Sequence, residues 1–171
     1  MNVNLQTATR DTIFEEVASI LNEQGFNIIR QDRERPWGGF FAIQEDQVVN
    51  FAKIYFPELP EEAINVDQKL SPKILLVGPD SRLSWQYHHR RSEVWRVTKG
   101  TAGVITSDTD EQGPLKELPE GTTIHLAQGE RHRLIGLKEW SIIAEIWQHS
   151  DPNNPSNEDD IVRVQDDFGR K

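Results

Sequence analysis

The sequence predicts an all-β fold, a sandwich or barrel of short strands preceded by one amphipathic helix. From Phe40 onward, short β-rich runs follow one another at even spacing, and turn residues such as Gly78-Pro79-Asp80 and Lys99-Gly100 separate them. The first 25 residues are organised differently, with apolar residues at helical spacing. Many short strands at even spacing are typical of sandwiches and barrels, among them the jelly roll.

The helix is the first predicted element. Apolar residues recur there at helical spacing, namely Ile13, Phe14, Val17, Ile20 and Leu21. We expect Thr9 or Asp11 to cap its amino end and Gly25 to terminate it. The chain is therefore divided into an N-terminal helical extension, residues 1–32, and a barrel domain, residues 33–171.

The strands follow the helix along the rest of the chain. We predict them at about 40–44, 47–56, 73–77, 82–88, 92–99, 101–107, 122–126, 131–137, 140–148 and 160–164. A longer insertion at 57–72 contains Pro60-Glu61-Glu62-Ala63, which can start a short helix. This insertion could cover the mouth of the barrel.

Composition limits the classes of function. The formal net charge is −9, from 19 basic and 28 acidic residues, so we expect neither a general nucleic-acid surface nor an anionic-membrane surface. The chain has no cysteine, which excludes disulfides and thiolate metal sites. No apolar run reaches membrane-spanning length and the first residues lack the features of a signal peptide, so we expect a cytoplasmic protein.

Four residues have the chemistry and spacing of metal ligands. Gln86 and His88 alternate on one face of a predicted strand, and Glu93 can return to that face after a short turn. His132 follows 39 residues after Glu93. Two imidazoles, one carboxylate and one amide oxygen suit zinc, iron, manganese, cobalt or nickel. The pattern therefore indicates an open, catalytic metal site.

The spacing of these ligands resembles the metal-binding signature of the cupins, His-x-His-x4-Glu-x6-Gly followed by Gly-x5-Pro-x-Gly-x2-His-x3-Asn. Gln86 replaces the first histidine, Ala127 the proline and Gly136 the asparagine. The glutamine and the flanking sequence resemble the isomerase domain of the type II mannose-6-phosphate isomerases. The matching motifs are Arg35-Pro36-Trp37-Gly38, Glu93-Val94-Trp95, Asp159-Asp160-Ile161-Val162-Arg163 and Phe168-Gly169-Arg170.

This resemblance implies a cupin jelly-roll barrel that binds one divalent metal, with zinc as the expected ion. It also implies a metal-dependent aldose–ketose isomerase acting on a small phosphosugar, with mannose 6-phosphate and fructose 6-phosphate as the leading pair. Guanylyltransferase activity is not carried over, because the 38 residues before Gly39 are too few for a nucleotide-binding domain. We expect a homodimer, since small jelly rolls with exposed strand edges often pair.

Two family histidines are replaced, by Arg90 and Val94, and this departure leaves other functions open. One alternative is a cupin that binds a sugar or sugar phosphate without turning it over. Another is a metal-dependent dioxygenase, because two histidines and one carboxylate also suit ferrous iron. The glutamine in the ligand set argues against the dioxygenase.

An isomerase needs a base that moves a proton between adjacent carbons. Glu145 lies inside the apolar run Ile142–Trp147 and is our candidate for this catalytic role. The sequence leaves open whether its carboxylate is buried and tuned or points to solvent. His89 is a weaker candidate, because it lies on the opposite strand face from the ligands.

Substrate contacts are expected from basic residues. Lys53 also lies in an apolar run, residues 50–56, and its ammonium group is either buried or directed to solvent. We predict that it binds substrate. Arg91 and Arg163 lie within the family-like motifs, and arginine engages phosphate oxygens through two parallel donors. The resemblance therefore implies that both bind the phosphate and that Arg91 also takes part in catalysis.

Overall fold

The computed structural model describes residues 1–170, which form two antiparallel sheets and two α-helices. The helices are α1 (Arg10–Glu23) and α2 (Val48–Tyr55), and single 3₁₀ turns lie at Glu45–Gln47 and Glu61–Ala63. The strands are β1 (Ile28–Arg35), β2 (Gly38–Ile43), β3 (Lys73–Val77), β4 (Trp85–Tyr87), β5 (Arg91–Lys99), β6 (Ala102–Ser107), β7 (Lys116–Leu118), β8 (Thr123–Leu126), β9 (Arg131–Gly136), β10 (Ser141–His149) and β11 (Val162–Gln165).

The two sheets form a barrel. The strand order is β1-β2-β3-β10-β5-β8 in the first sheet and β11-β4-β9-β6-β7 in the second. Their inner faces share one apolar cluster, to which the first sheet contributes Leu75 and Trp95 and the second contributes Val104 and Leu134. The all-β jelly-roll fold with an N-terminal helix is thus confirmed.

Helix α1 packs outside the barrel, on the outer face of the first sheet. Thr9 caps it in a reciprocal pair of hydrogen bonds with Thr12, and Gly25 follows it with a positive φ of 86°. Its buried side chains, including Phe14 and Leu21, share a second core cluster with residues of β2, β3 and β10. The sheet is therefore covered on both faces.

Strand β10 lies between these two clusters and so decides which side chains enter the barrel. Ile142, Ala144 and Ile146 belong to the outer, helix-side cluster, whereas Ile143 belongs to the inner one. Because side chains alternate along a strand, Glu145 and Trp147 face the barrel interior together with Ile143. This alternation places the Glu145 carboxylate inside the barrel.

The predicted strand at 47–56 is wrong, because this segment forms the helix α2. Val48, Phe51, Ala52 and Tyr55 are its buried residues, and they recur at the helical spacing of three and four. Its valine and aromatic content favoured a strand, but burial against the outer cluster selected the helix. Two further strands were not predicted, namely β1, which has no buried residue, and the short β7.

The predicted division at residue 32 falls inside β1, so the first sheet begins before the predicted boundary. The last residue of the predicted barrel domain, Lys171, lies outside the described residues. The insertion at 57–72 contains the expected helical turn and buries Ile64 and Leu70 in the outer cluster. Within residues 1–170, neither helix has the length and apolar content needed to traverse a bilayer.

Candidate metal centre and active site

A pocket opens at one mouth of the barrel, between the ends of both sheets. The residues that line it come from β1 to β5, from β10 and from the carboxyl-terminal segment of the chain. They are Arg35, Trp37, Phe40, Lys73, Leu75, Leu83, Gln86, Arg91, Glu93, Glu145, Trp147, Glu158, Ile161, Arg163 and Arg170. None of residues 57–72 lines it, so the insertion does not form its wall.

His88, Glu93 and His132 form a buried cluster of potential metal ligands beside this pocket. One ligand atom from each lies within 4.8 Å of the other two. The His88 Nε2 atom is 3.1 Å from Glu93 Oε1, and His132 Nε2 is 3.8 Å from Glu93 Oε2. Two ligands bound to one tetrahedral zinc ion lie about 3.4 Å apart, so these spacings fit a shared ion.

Both imidazoles are oriented by backbone carbonyls. His88 Nδ1 lies 2.6 Å from the Asp160 carbonyl oxygen, and His132 Nδ1 lies 3.0 Å from that of Glu130. Donation from Nδ1 leaves the Nε2 lone pair directed at the cluster, as in most protein metal sites. Among residues 1–170, His132 Nε2 has no hydrogen-bond partner although it is buried. Burial lowers the pKa of His132 to about 4, which keeps this ring neutral and able to ligate.

Glu93 supplies the negative charge of the cluster. Its side chain accepts hydrogen bonds from Arg91 Nε at 2.9 Å and from Trp95 Nε1 at 3.0 Å. Burial alone would raise the pKa of this carboxyl, but the neighbouring His88 and Arg91 hold it well below its usual value. Glu93 is therefore ionised and fixed in place.

Gln86 completes the predicted set of four. Its backbone pairs with His132 on β9, and its side-chain amide nitrogen lies 3.4 Å from His88 Nε2. The amide oxygen accepts a hydrogen bond from Ser84 Oγ at 2.5 Å. Because a serine hydroxyl can donate or accept, turning the amide over would keep this contact and present the oxygen to the cluster.

Glu145 is buried inside the barrel, which answers the question that its sequence context left open. Its two carboxylate oxygens accept hydrogen bonds from Trp95 Nε1 and Trp147 Nε1, each at 3.0 Å. Trp95 Nε1 also contacts Glu93, so one indole bridges the cluster of potential ligands and Glu145. Burial, together with the Glu93 charge, raises the pKa of Glu145 to about 7. A carboxyl in this range can both accept and release a proton near neutral pH.

Lys73, rather than Lys53, is the lysine in the pocket. Lys73 is directly opposite Glu145 in the β3–β10 pair, and its Nζ atom lies 2.6 Å from Glu158 Oε1 and 4.5 Å from the centre of the Trp147 ring. Lys53 is exposed on α2 and lines a separate small cleft. Its expected contact with substrate at the metal site does not fit this position, because the helix turns Lys53 away from the sheet.

The two predicted phosphate-binding arginines lie in different parts of the pocket. Arg91 is buried, bonded to Glu93 and Ser156, and stacked 3.7 Å from the centre of the Trp147 ring. Arg163 is half-buried on β11, where its backbone pairs with Gln86. Arg91 thus contacts Glu93 and His88 of the potential ligand cluster directly, whereas Arg163 lies on the far side of Gln86 from His132.

Neither residue that replaces a family histidine lines the pocket. Val94 is fully buried in the outer cluster, on the helix side of β5. Arg90 donates to Asn154 at 2.9 Å and lies 3.8 Å from Asp160, on the outside of the turn between β4 and β5. Both substituted positions therefore lie outside the lining of the barrel mouth.

Asp160 has a role that sequence reasoning missed. Its carboxylate accepts the backbone N–H groups of His89 and Arg90, both at 3.0 Å, and the Ser156 hydroxyl at 2.6 Å. Its carbonyl oxygen orients His88. Asp160 thus fixes both the potential metal ligand His88 and the turn that leads to Glu93. The Asp-Asp-Ile-Val-Arg motif marked this position but not its partner, which lies some 70 residues earlier.

Comparison with known proteins identifies relatives of this chain. Residues 44–166 match the family model described as "Mannose-6-phosphate isomerase C-terminal". The Xanthan biosynthesis protein XanB of Xanthomonas campestris is 33% identical over 119 residues, 69% of this chain and 24% of that protein. The Alginate biosynthesis protein AlgA of Pseudomonas aeruginosa is 30% identical over 130 residues, 75% of this chain and 25% of that protein. The chain thus spans about a quarter of the length of these relatives.

Solved structures show the same fold at low sequence identity. Oxalate decarboxylase from Bacillus subtilis matches with a TM-score of 0.55 and 16% identity over 78% of this chain and 29% of that chain. Vicilin from Solanum lycopersicum matches with a TM-score of 0.51 and 16% identity over 74% of this chain and 33% of that chain. The predicted cupin fold and the resemblance to the type II isomerase family are confirmed.

Proposed function

The chain belongs to the mannose-6-phosphate isomerase C-terminal family, and from this premise we propose that it is a metal-dependent phosphosugar aldose–ketose isomerase. We propose mannose 6-phosphate and fructose 6-phosphate as its substrates and zinc as its metal. The observation that carries the proposal is that Glu145 lines the same pocket as Glu93, which belongs to the His-Glu-His cluster beside that pocket. An isomerase requires a tuned base beside a polarising centre.

The proposed metal ligands are Gln86, His88, Glu93 and His132. A bound divalent ion would supply Lewis-acid polarisation of the sugar oxygens, which acidifies the neighbouring C–H bond. Glu93 is the only anion among these ligands, so a divalent ion would keep about one net positive charge for this purpose. The orphaned Nε2 of His132 supports the assignment from the protein side.

Glu145 is the proposed base. In its ionised form, one carboxylate oxygen takes the proton from C2 of the aldose and returns it to C1, while the hydroxyl proton moves from O2 to O1 to complete the ketose. The indole N–H groups of Trp95 and Trp147 hold the carboxylate in one orientation during both transfers. Arg91, which is fixed by Glu93, adds a positive charge beside the reacting carbons.

The charge of the pocket supports an anionic substrate. Five cationic side chains line it, against three carboxylates, in a chain whose formal net charge is −9. The cationic residues are Arg35, Lys73, Arg91, Arg163 and Arg170. A local excess of positive charge in an acidic protein favours entry of a phosphate ester.

The competing function is a cupin that binds a phosphosugar without converting it. The loss of two family histidines is the main argument for this alternative. Arg90 and Val94 lie outside the pocket lining, so this loss removes no group from the proposed chemistry. We therefore favour the isomerase.

Hydrogen exchange into substrate tests this proposal. The zinc-loaded protein is incubated with mannose 6-phosphate in D₂O, and deuterium at C2 and fructose 6-phosphate are followed by NMR. We expect exchange in wild type and a loss of roughly 100-fold or more in Glu145→Gln, because the general base is removed. Protection of wild type against thermal unfolding by mannose 6-phosphate, without any exchange, would assign the protein to the binders instead.

The expected homodimer also stays a proposal. The outermost strands of the first sheet are β1 and β8. Such edges are the places where a second copy could extend a sheet.

A further inference from the structure

Three arginines that are distant in sequence meet at the β11 side of the pocket. Arg35 ends β1, Arg163 lies in the middle of β11, and Arg170 follows that strand. All three line the pocket and all three are half-buried. We propose that they form the subsite that binds the phosphate group of the substrate. This inference rests on the proposed function and locates one end of its substrate.

The sheet register sets the distance between this subsite and the metal cluster. Arg163 pairs with Gln86, and Gln86 pairs with His132, so these three residues form one row across three strands. Directly opposite residues point to the same face of a sheet, which places Arg163 on the side of the ligands. Neighbouring strands are about 4.8 Å apart, so the Arg163 and His132 backbones are separated by about 10 Å. A hexose 6-phosphate carries its phosphate at the opposite end of the carbon chain from C1 and C2, which suits this separation.

Ion pairs preorganise two of these arginines. Arg170 forms a two-point ion pair with Asp166, at 3.0 Å and 2.8 Å, and Arg35 lies 2.9 Å from Asp32. These contacts restrict the side chains before binding and so reduce the entropy lost when a ligand binds. Arg163 shares this end of the pocket lining with Arg35 and Arg170, so three like charges repel one another here. A dianion would relieve this repulsion.

Trp37 provides an independent observation at the same site. Its side chain lines the pocket and only 6% of its surface is exposed. Among residues 1–170, its indole Nε1 has no hydrogen-bond partner. A buried N–H donor without an acceptor costs free energy, so a ligand oxygen is the natural partner for it. Phosphate offers several such oxygens.

Lysine substitutions test the subsite, because they keep the charge and remove the planar two-donor geometry. Calorimetric titrations of the zinc-loaded protein would use mannose 6-phosphate, inorganic phosphate and mannose. We expect Arg35→Lys, Arg163→Lys and Arg170→Lys each to weaken mannose 6-phosphate binding by roughly tenfold or more. Arg33→Lys is the matched control, since Arg33 lies on β1 but contacts Glu15 and Phe41 on the helix side. Zinc content should be the same in all variants.

The outcomes separate this inference from the proposed function. If the three variants bind mannose 6-phosphate as tightly as Arg33→Lys does, or if wild type binds neither phosphate nor mannose 6-phosphate, the subsite is refuted. If wild type catalyses no exchange but the lysine variants lose affinity, the subsite stands and the isomerase is refuted. If exchange and affinity are normal in all three variants, the isomerase stands and the phosphate binds elsewhere.

Discussion

The burial of Glu145 predicts an unusual dependence of stability on pH. In the unfolded chain its carboxyl titrates near the ordinary value of 4.5, and in the folded protein burial and the Glu93 charge raise its pKa to about 7. Between these two values the folded protein keeps a proton that the unfolded chain has released. The folded state therefore becomes less stable as the pH rises, and the loss is complete above about pH 7.

The substitution Glu145→Gln removes this titration while keeping the shape of the side chain. A glutamine has one acceptor oxygen, so one of the two indole donors loses its partner, and this cost does not depend on pH. The pH-dependent part of the change in unfolding free energy can therefore be separated from the constant cost of the lost hydrogen bond. From pH 5 to pH 8, the unfolding free energy of wild type should fall by roughly 2 to 3 kcal/mol more than that of the variant.

Urea unfolding at pH 5 and pH 8, followed by the fluorescence of the five tryptophans, measures this difference. The protein is stripped of metal with a chelator, because a bound cation would favour the ionised carboxylate. Glu117→Gln, which alters an exposed residue on β7, controls for the removal of one negative charge. A stability difference between Glu145→Gln and wild type that is the same at both pH values would refute this account.

Two further predictions concern the metal. Elemental analysis should find about one zinc per chain in wild type and none in a His88→Ala, His132→Ala double variant, and equal metal content in both would exclude the site. Asp160→Asn should weaken zinc binding by roughly 10- to 100-fold with an unchanged circular dichroism spectrum, because the turn that carries His88 loses its carboxylate partner. Asp159→Asn, at an exposed neighbouring position, is the control, and equal zinc affinity in the two variants would show that Asp160 does not position the ligands.

Sequence periodicity was sufficient to predict the elements that bury a single apolar face. Helix α1 was predicted from its cap and its apolar spacing, and most strands lie within a few residues of the predicted runs. The prediction for the segment that forms α2 was wrong, because a helical and a strand pattern both fit its eight residues. Burial against the outer cluster decides between the two. Strand β1 was missed because an exposed edge strand has little apolar alternation to detect.

The closeness of the proposed metal ligands was predictable for a similar reason. Gln86, His88 and Glu93 are close in sequence, and the geometry of a strand, a turn and a second strand brings them to one face regardless of distant contacts. His132 was placed by the spacing of the family signature. The structure brings His88, Glu93 and His132 together, with Gln86 alongside them.

Long-range packing determines which charged residues share the pocket with the proposed ligands, and local sequence does not reveal it. Glu145 and Lys53 each lay in an apolar run, and the sequence treated them alike, yet one faces the barrel interior and the other faces solvent. The meeting of Arg35 with Arg163 depends on closure of the barrel mouth by segments more than 100 residues apart. Sequence periodicity indicates which face of a helix or strand is apolar. Long-range packing determines which faces of different elements contact one another, and these contacts form the pocket.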